Sequence, residues 1–226
     1  DGPSAGSDVA RAVAVDAAGR IVVGGDETRK EPVAGMNWIR KSAWRVVRYD
    51  AAGNLEWAAA DPLRRDDRAT ALALDFRNWA WIAGNASHDD AGDDVLVEVW
   101  SDTETGAALA TRLYDRGGKD EGPPALVQGM YQKPATPPAS LPPQESDAFL
   151  VFTSVTPPPS STLMRTDMTL WHVRDDFVSC SDTPGSTPFD EDLTGRWSTS
   201  ERGAAVVRFA DGSALGAGTV TANGTD

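Results

Sequence analysis

Two histidines and one cysteine are the only imidazoles and thiol in these 226 residues. His88, His172 and Cys180 form no spacing that would pair a nucleophile with a base. His172 and Cys180 read as structural strand residues, and no glycine-rich phosphate loop is present. No catalytic residue is assigned on this basis, and any chemistry falls to carboxylates. The densest cluster is Asp89, Asp90, Asp93 and Asp94, followed by Asp175–Asp176 and Asp190–Glu191–Asp192. Ca²⁺ takes roughly six to eight oxygen ligands, which closely spaced carboxylates can supply. The spacing is not that of an EF-hand loop. Asp89 to Asp94 therefore reads either as a solvated loop or as a Ca²⁺ site, and no other cofactor is expected. Paired carboxylates can also do acid–base work on sugars, which keeps a polysaccharide-acting enzyme among the alternatives.

A second candidate is a binding surface. Met36, Trp38, Arg40 and Lys41 make the most basic and aromatic stretch of an acidic chain, inside a segment from Asp26 to Ala43 read as a long loop. Exposed Trp and Arg are common interface anchors; the alternative is a Trp folded back onto a sheet edge. A Pro-rich insertion at 130–146 and the run Pro157–Pro158–Pro159 prefer extended polyproline conformations. They read as stiff connectors or as docking segments for an aromatic-lined groove.

Charge and composition narrow the classes. The net charge is −13, which disfavours nucleic acid as a partner, because phosphate neutralisation needs clustered cations. No apolar run approaches the roughly 18 residues of a transmembrane helix. One cysteine excludes an intramolecular disulfide framework.

The elements that must position these residues come from a repeat. Ala10 to Gly25 aligns with Ala69 to Gly84, placing Asp16 on Asp75 and Gly25 on Gly84, 59 positions apart. Gly203 to Gly218 repeats the pattern 193 positions after the first copy. A degenerate copy lies between, at Pro124 to Gly129 and Asp147 to Thr153. Second halves follow at Trp44 to Trp57, Val95 to Leu109 and Thr169 to Asp175 with Phe177 to Cys180. The second copy's connecting segment is about seven residues shorter than the first's. Short Val/Ile/Leu-rich runs bounded by Asp/Gly/Asn predict strands joined in hairpins. Asp16-Ala-Ala-Gly19, Asp50-Ala-Ala-Gly53 and Asp211-Gly212 predict the turns. Trp44, Trp57, Trp79, Trp81, Trp100 and Trp171 fall at strand positions and are expected to pack between units.

A four-strand unit at this period predicts an all-β chain, a β-propeller or partial propeller of antiparallel blades. The blades fall at about 9–61, 67–115, 120–182 and an incomplete 199–226. Ala12 to Gly25 and Val46 to Trp57 resemble the bacterial SBBP-type β-propeller repeat. The resemblance implies an architecture and an extracytoplasmic setting (periplasmic, cell-surface or secreted), and it brings no catalytic residue. Closed propellers have about four to eight blades. Three and a half leave three expectations: the remainder of a longer chain, a second chain, or the chain's own insertions complete the ring. The expected function is a non-enzymatic scaffold that presents loops to a protein or glycan partner. The alternatives are the enzyme above and an assembly subunit completing a ring with another chain.

Overall fold

The computed structural model describes residues 8–33, 36–60, 66–88, 92–100, 108–114, 122, 124–132, 144–156, 165–174, 199–209 and 214–222. Every regular element among them is a β-strand, and every pairing is antiparallel. The chain divides into two compact units, Asp1–Pro124 and Ala125–Asp226.

Unit one holds two four-stranded meanders. The first runs β1 (Asp8–Val15), β2 (Ile21–Val33), β3 (Met36–Tyr49) and β4 (Leu55–Ala60). The second runs β5 (Asp66–Leu74), β6 (Ala80–His88), β7 (Gly92–Trp100) and β8 (Ala108–Tyr114). Unit two holds a sheet of β9 (Ala125–Gln132), β10 (Gln144–Thr156) and β11 (Arg165–Arg174), in the order β11-β10-β9. A hairpin of β12 (Thr199–Arg208) and β13 (Ala214–Ala222) completes it.

Aspartate builds the turns. Asp16 Oδ1 accepts the amides of Ala18 and Arg20, both at 2.9 Å, and Gly19 closes the turn at φ 80°. Asp50 does the same for Ala52 and Asn54, with Gly53 at φ 87°. Asp75 takes the amides of Arg77 and Trp79, and there Asn78 replaces glycine at φ 62°. A short carboxylate reaches the amides two and four residues on, and the left-handed position admits Gly, or Asn at small cost.

A second feature explains the repeat's glycines. β1 carries an extra residue, Arg11, between its pairings Ala10↔Gly25 and Ala12↔Gly24. β5 carries Thr70 between Ala69↔Gly84 and Ala71↔Ala83, and β12 carries Ala204 between Gly203↔Gly218 and Ala205↔Ala217. Such a bulge bends its strand and thrusts a carbonyl at the neighbour. A Cβ on Gly25 would fall on the carbonyl oxygen of Val9, and one on Gly84 on that of Arg68. β10 has no glycine, and its pairing with β9 runs without a shift.

The core of unit one lies between its two sheets. Val22, Trp44, Val46 and Trp57 of the first meet Ala69, Ala80, Ile82, Ala86, Leu96 and Trp100 of the second. Each large side chain buried there contributes about 1.5–3 kcal/mol. The sheets come close at Gly24: a Cβ built on it would stand 2.8 Å from Ile82 Cδ1 and 3.0 Å from Leu72 Cδ1, both ends of flexible side chains. Trp44, Trp57, Trp81 and Trp100 are buried at strand positions as expected.

Trp79 departs from that expectation. It lies in the turn before β6, half-buried, with the Arg77 guanidinium 3.6 Å above its ring centroid. Trp171 lies in β11 with its side chain outside the described residues. A further correction concerns register. Ile21 pairs with Tyr49 and Ala80 with Trp100, so Trp100 takes Tyr49's place, 51 positions on. The second copy's connection is therefore shorter by eight residues, not seven. The tips of the Pro-rich insertion are paired strand, Gln132 opposite Gln144.

Candidate functional site

The segment read as a loop from Asp26 to Ala43 is instead a long hairpin. β2 runs 13 residues and β3 runs 14, against nine each for β6 and β7. At roughly 3.4 Å per residue, the extra length carries the hairpin on by about 15 Å. Its register sets cation opposite cation: Arg29 faces Lys41 and Lys30 faces Arg40. Like charges directly opposite one another oppose pairing, and here two such pairs are adjacent in a chain of net charge −13. Met36 pairs with Val33, and Trp38 lies at the register shift between Glu31 and Val33. The structure thus brings Met36, Trp38, Arg40 and Lys41 together on one strand arm. Their side chains lie outside the described residues.

The root of this arm is a polar joint. Asp26, 6% exposed, accepts the Ala69 amide of β5 at 2.7 Å with Oδ1 and the Arg11 Nε at 2.8 Å with Oδ2. One residue on, Glu27 is 1% exposed and paired with Arg45. Residue type alone does not single out Asp26. The available signal was position, since a polar residue directly follows the bulge glycine in three copies: Asp26, Asn85 and Thr219.

Asp93 and Asp94 are not in a loop either. β7 starts at Gly92, with Asp93 opposite Ser87 and Asp94 opposite Ala86. Alternation along the strand sends the two to opposite faces; Asp93 is exposed and Asp94 is 1% exposed. Asp67, 0% exposed, also pairs with Ala86, from the other side. Asp89 and Asp90 lie outside the described residues. Among the described residues, no group of three His, Cys, Asp or Glu side chains is placed to hold a metal. A polar cavity of ≈ 150 Å³ is lined by Ser42, Asp67, Arg68, Asn85, Ser87 and Asp93. Ligand pockets are roughly 300–1,000 Å³, so this one has the size for a few waters. A groove of ≈ 370 Å³ lies on the outward face of the first sheet, among Val23, Arg45, Val47, Tyr49, Leu55 and Ala58.

Elsewhere, His172 is in β11 opposite Phe149, while Cys180, Asp175–Asp176 and Asp190–Asp192 lie outside the described residues. No helix of the described residues is long and apolar enough to cross a membrane. No family model, curated protein or solved structure matches the chain.

Proposed function

We propose that the chain is a stack of propeller-type repeat sheets, a non-enzymatic scaffold that offers the β2–β3 arm to an acidic partner, glycan or protein. The observation that carries this reading is the pair of opposed cations, Arg29↔Lys41 and Lys30↔Arg40. A hairpin gains nothing in stability from such pairs, so their use lies in what they meet. Alternation along the strands separates the two pairs, and a polyanion that meets either pair relieves its like-charge repulsion and gains charge-assisted hydrogen bonds. The neighbouring Met36 and Trp38 add apolar contact of the kind that anchors interfaces. The propeller reading draws support from the stacking of the second sheet on the first and from the glycine-linked bulge recurring in three hairpins. The resemblance of Ala12 to Gly25 and Val46 to Trp57 to the SBBP-type repeat supports it too, and with it an extracytoplasmic bacterial setting.

Binding to a polyuronate and to poly-glutamate tests the proposal. Trp38→Ala/Arg40→Ala should weaken binding to the matching polyanion at least about tenfold, and the salt dependence should flatten as cations are removed. Melting temperature should hold or rise, because a like-charge pair is relieved. Unchanged affinity, or no affinity of the parent chain for either polymer, overturns it.

A further inference from the structure

Exposure of the repeat inverts between the first and fourth copies. In β1, Val13 and Val15 are 63% and 61% exposed, while Ala12 and Ala14 are half-buried. In β12 the parity is opposite: Val207, at the Ala14 position, is 48% exposed, while Val206 and Arg208 are half-buried. The paired strands agree. Val22 in β2 is 3% exposed, but Leu215, which occupies the same repeat position in β13, is 55% exposed.

Unit one shows what each open face is built to meet. There β5 lies against β1, β2 and β3, and Leu72 and Leu74 pack into the core. Leu72 and Leu74 are the repeat equivalents of Val13 and Val15. Their opposing surface carries Val22 and Gly24, whose fourth-copy equivalents are Leu215 and Ala217. In unit two β12 lies against β9, β10 and β11, the same relation again. Copy one therefore leaves open the face that in copy two meets a neighbour. Copy four leaves open the face that in copy one receives one. These are the two halves of a single kind of joint, each carrying exposed apolar side chains and each open among the described residues.

We infer that the outward face of β1–β4 receives the β12–β13 face of a second copy of this chain. Val13 and Val23 then seat on Ala217, as Leu72 and Ile82 seat on Gly24 within unit one. The groove bordered by Val23, Val47, Tyr49 and Leu55 is filled by that contact. The two faces differ, so the association is heterologous, and it propagates head to tail until it closes into a ring or extends. The inference rests on the repeat-sheet reading but not on the charged arm.

Sedimentation velocity tests it, using Val13→Asp and Leu215→Asp at these exposed positions. The parent chain should show a mass that rises with concentration. Each variant alone should be a 24.0 kDa particle, because each lacks one half of the joint. An equimolar mixture should form a two-chain species and nothing larger, since each variant supplies the half that the other lacks. A monomeric parent at every concentration, self-association of either variant, or a mixture that stays monomeric overturns the inference. Circular dichroism and melting curves matching the parent show that the variants are folded. Polyanion binding by Val13→Asp keeps failure here distinct from failure of the arm proposal.

Discussion

Asp26 in β2 takes the backbone amide of Ala69 in β5 at 2.7 Å, a hydrogen bond 43 residues long in sequence that ties one sheet to the next. Ala69 is the residue before the bulged Thr70, where the ladder is interrupted and an amide needs an acceptor from elsewhere. The same carboxylate holds Arg11, the bulged residue of its own sheet. Asp26 thus reads both bulges at once. Asp26→Ala strands a buried amide and unpairs Arg11, at a cost of about 1–3 kcal/mol. Asp26→Asn, the residue type that the second copy carries at this position as Asn85, keeps an acceptor for Ala69 and should cost less. Urea unfolding of both variants checks the order; equal losses would mean that the Arg11 ion pair dominates.

The glycines separate backbone from side-chain crowding. Gly25→Ala and Gly84→Ala place a methyl against a bulge carbonyl that cannot turn aside. Overpacking of this sort costs about 1–3 kcal/mol, occasionally more. Gly24→Ala meets only the ends of Ile82 and Leu72, and the second copy already carries Ala83 at that position. Melting temperatures should fall clearly for Gly25→Ala and Gly84→Ala and little for Gly24→Ala. A similar drop in all three would show that the sheet spacing, and not the bulge, demands glycine.

Legibility in the sequence followed locality. Turns were readable because an Asp and a Gly three residues later act through atoms of the same turn. The strands were readable where one face is buried, because burial enforces alternation. The arm does not read as strand because Thr28, Arg29, Lys30 and Glu31 show no such alternation; its strand character comes from register propagated outward from the buried Trp44 and Val46. Trp79 sits in a turn and not in a strand for a related reason. Its ring answers to Arg77 in the turn rather than to the core. Asp26 went unnoticed because its partner is a backbone amide, and backbone amides leave no trace in residue type. Asp93 and Asp94 suggested a metal loop by density alone, yet a strand sends adjacent carboxylates apart.

Acid should weaken the Asp16 and Asp50 turns. In Asp16, burial pushes the carboxyl up, but hydrogen bonds from the Arg20 backbone and side chain and from Ala18, with the Arg20 charge, outweigh it and hold it below its ordinary 3.8. In Asp50, the Asn54 side chain and amide lower the value, together with the Ala52 and Gly53 amides. Both groups ionise more readily folded than unfolded, so each contributes stability that is fully present above pH 3.8. That contribution is lost as pH falls through the folded value. Asp16→Asn/Asp50→Asn removes the two charges and the Arg20 ion pair while keeping an acceptor at each turn. At neutral pH the variant should melt below the parent, and the gap should close as pH drops below 3.8, where the parent's own carboxylates are protonated. A gap that stays constant across that range would place the stabilising effect in turn geometry and not in ionisation.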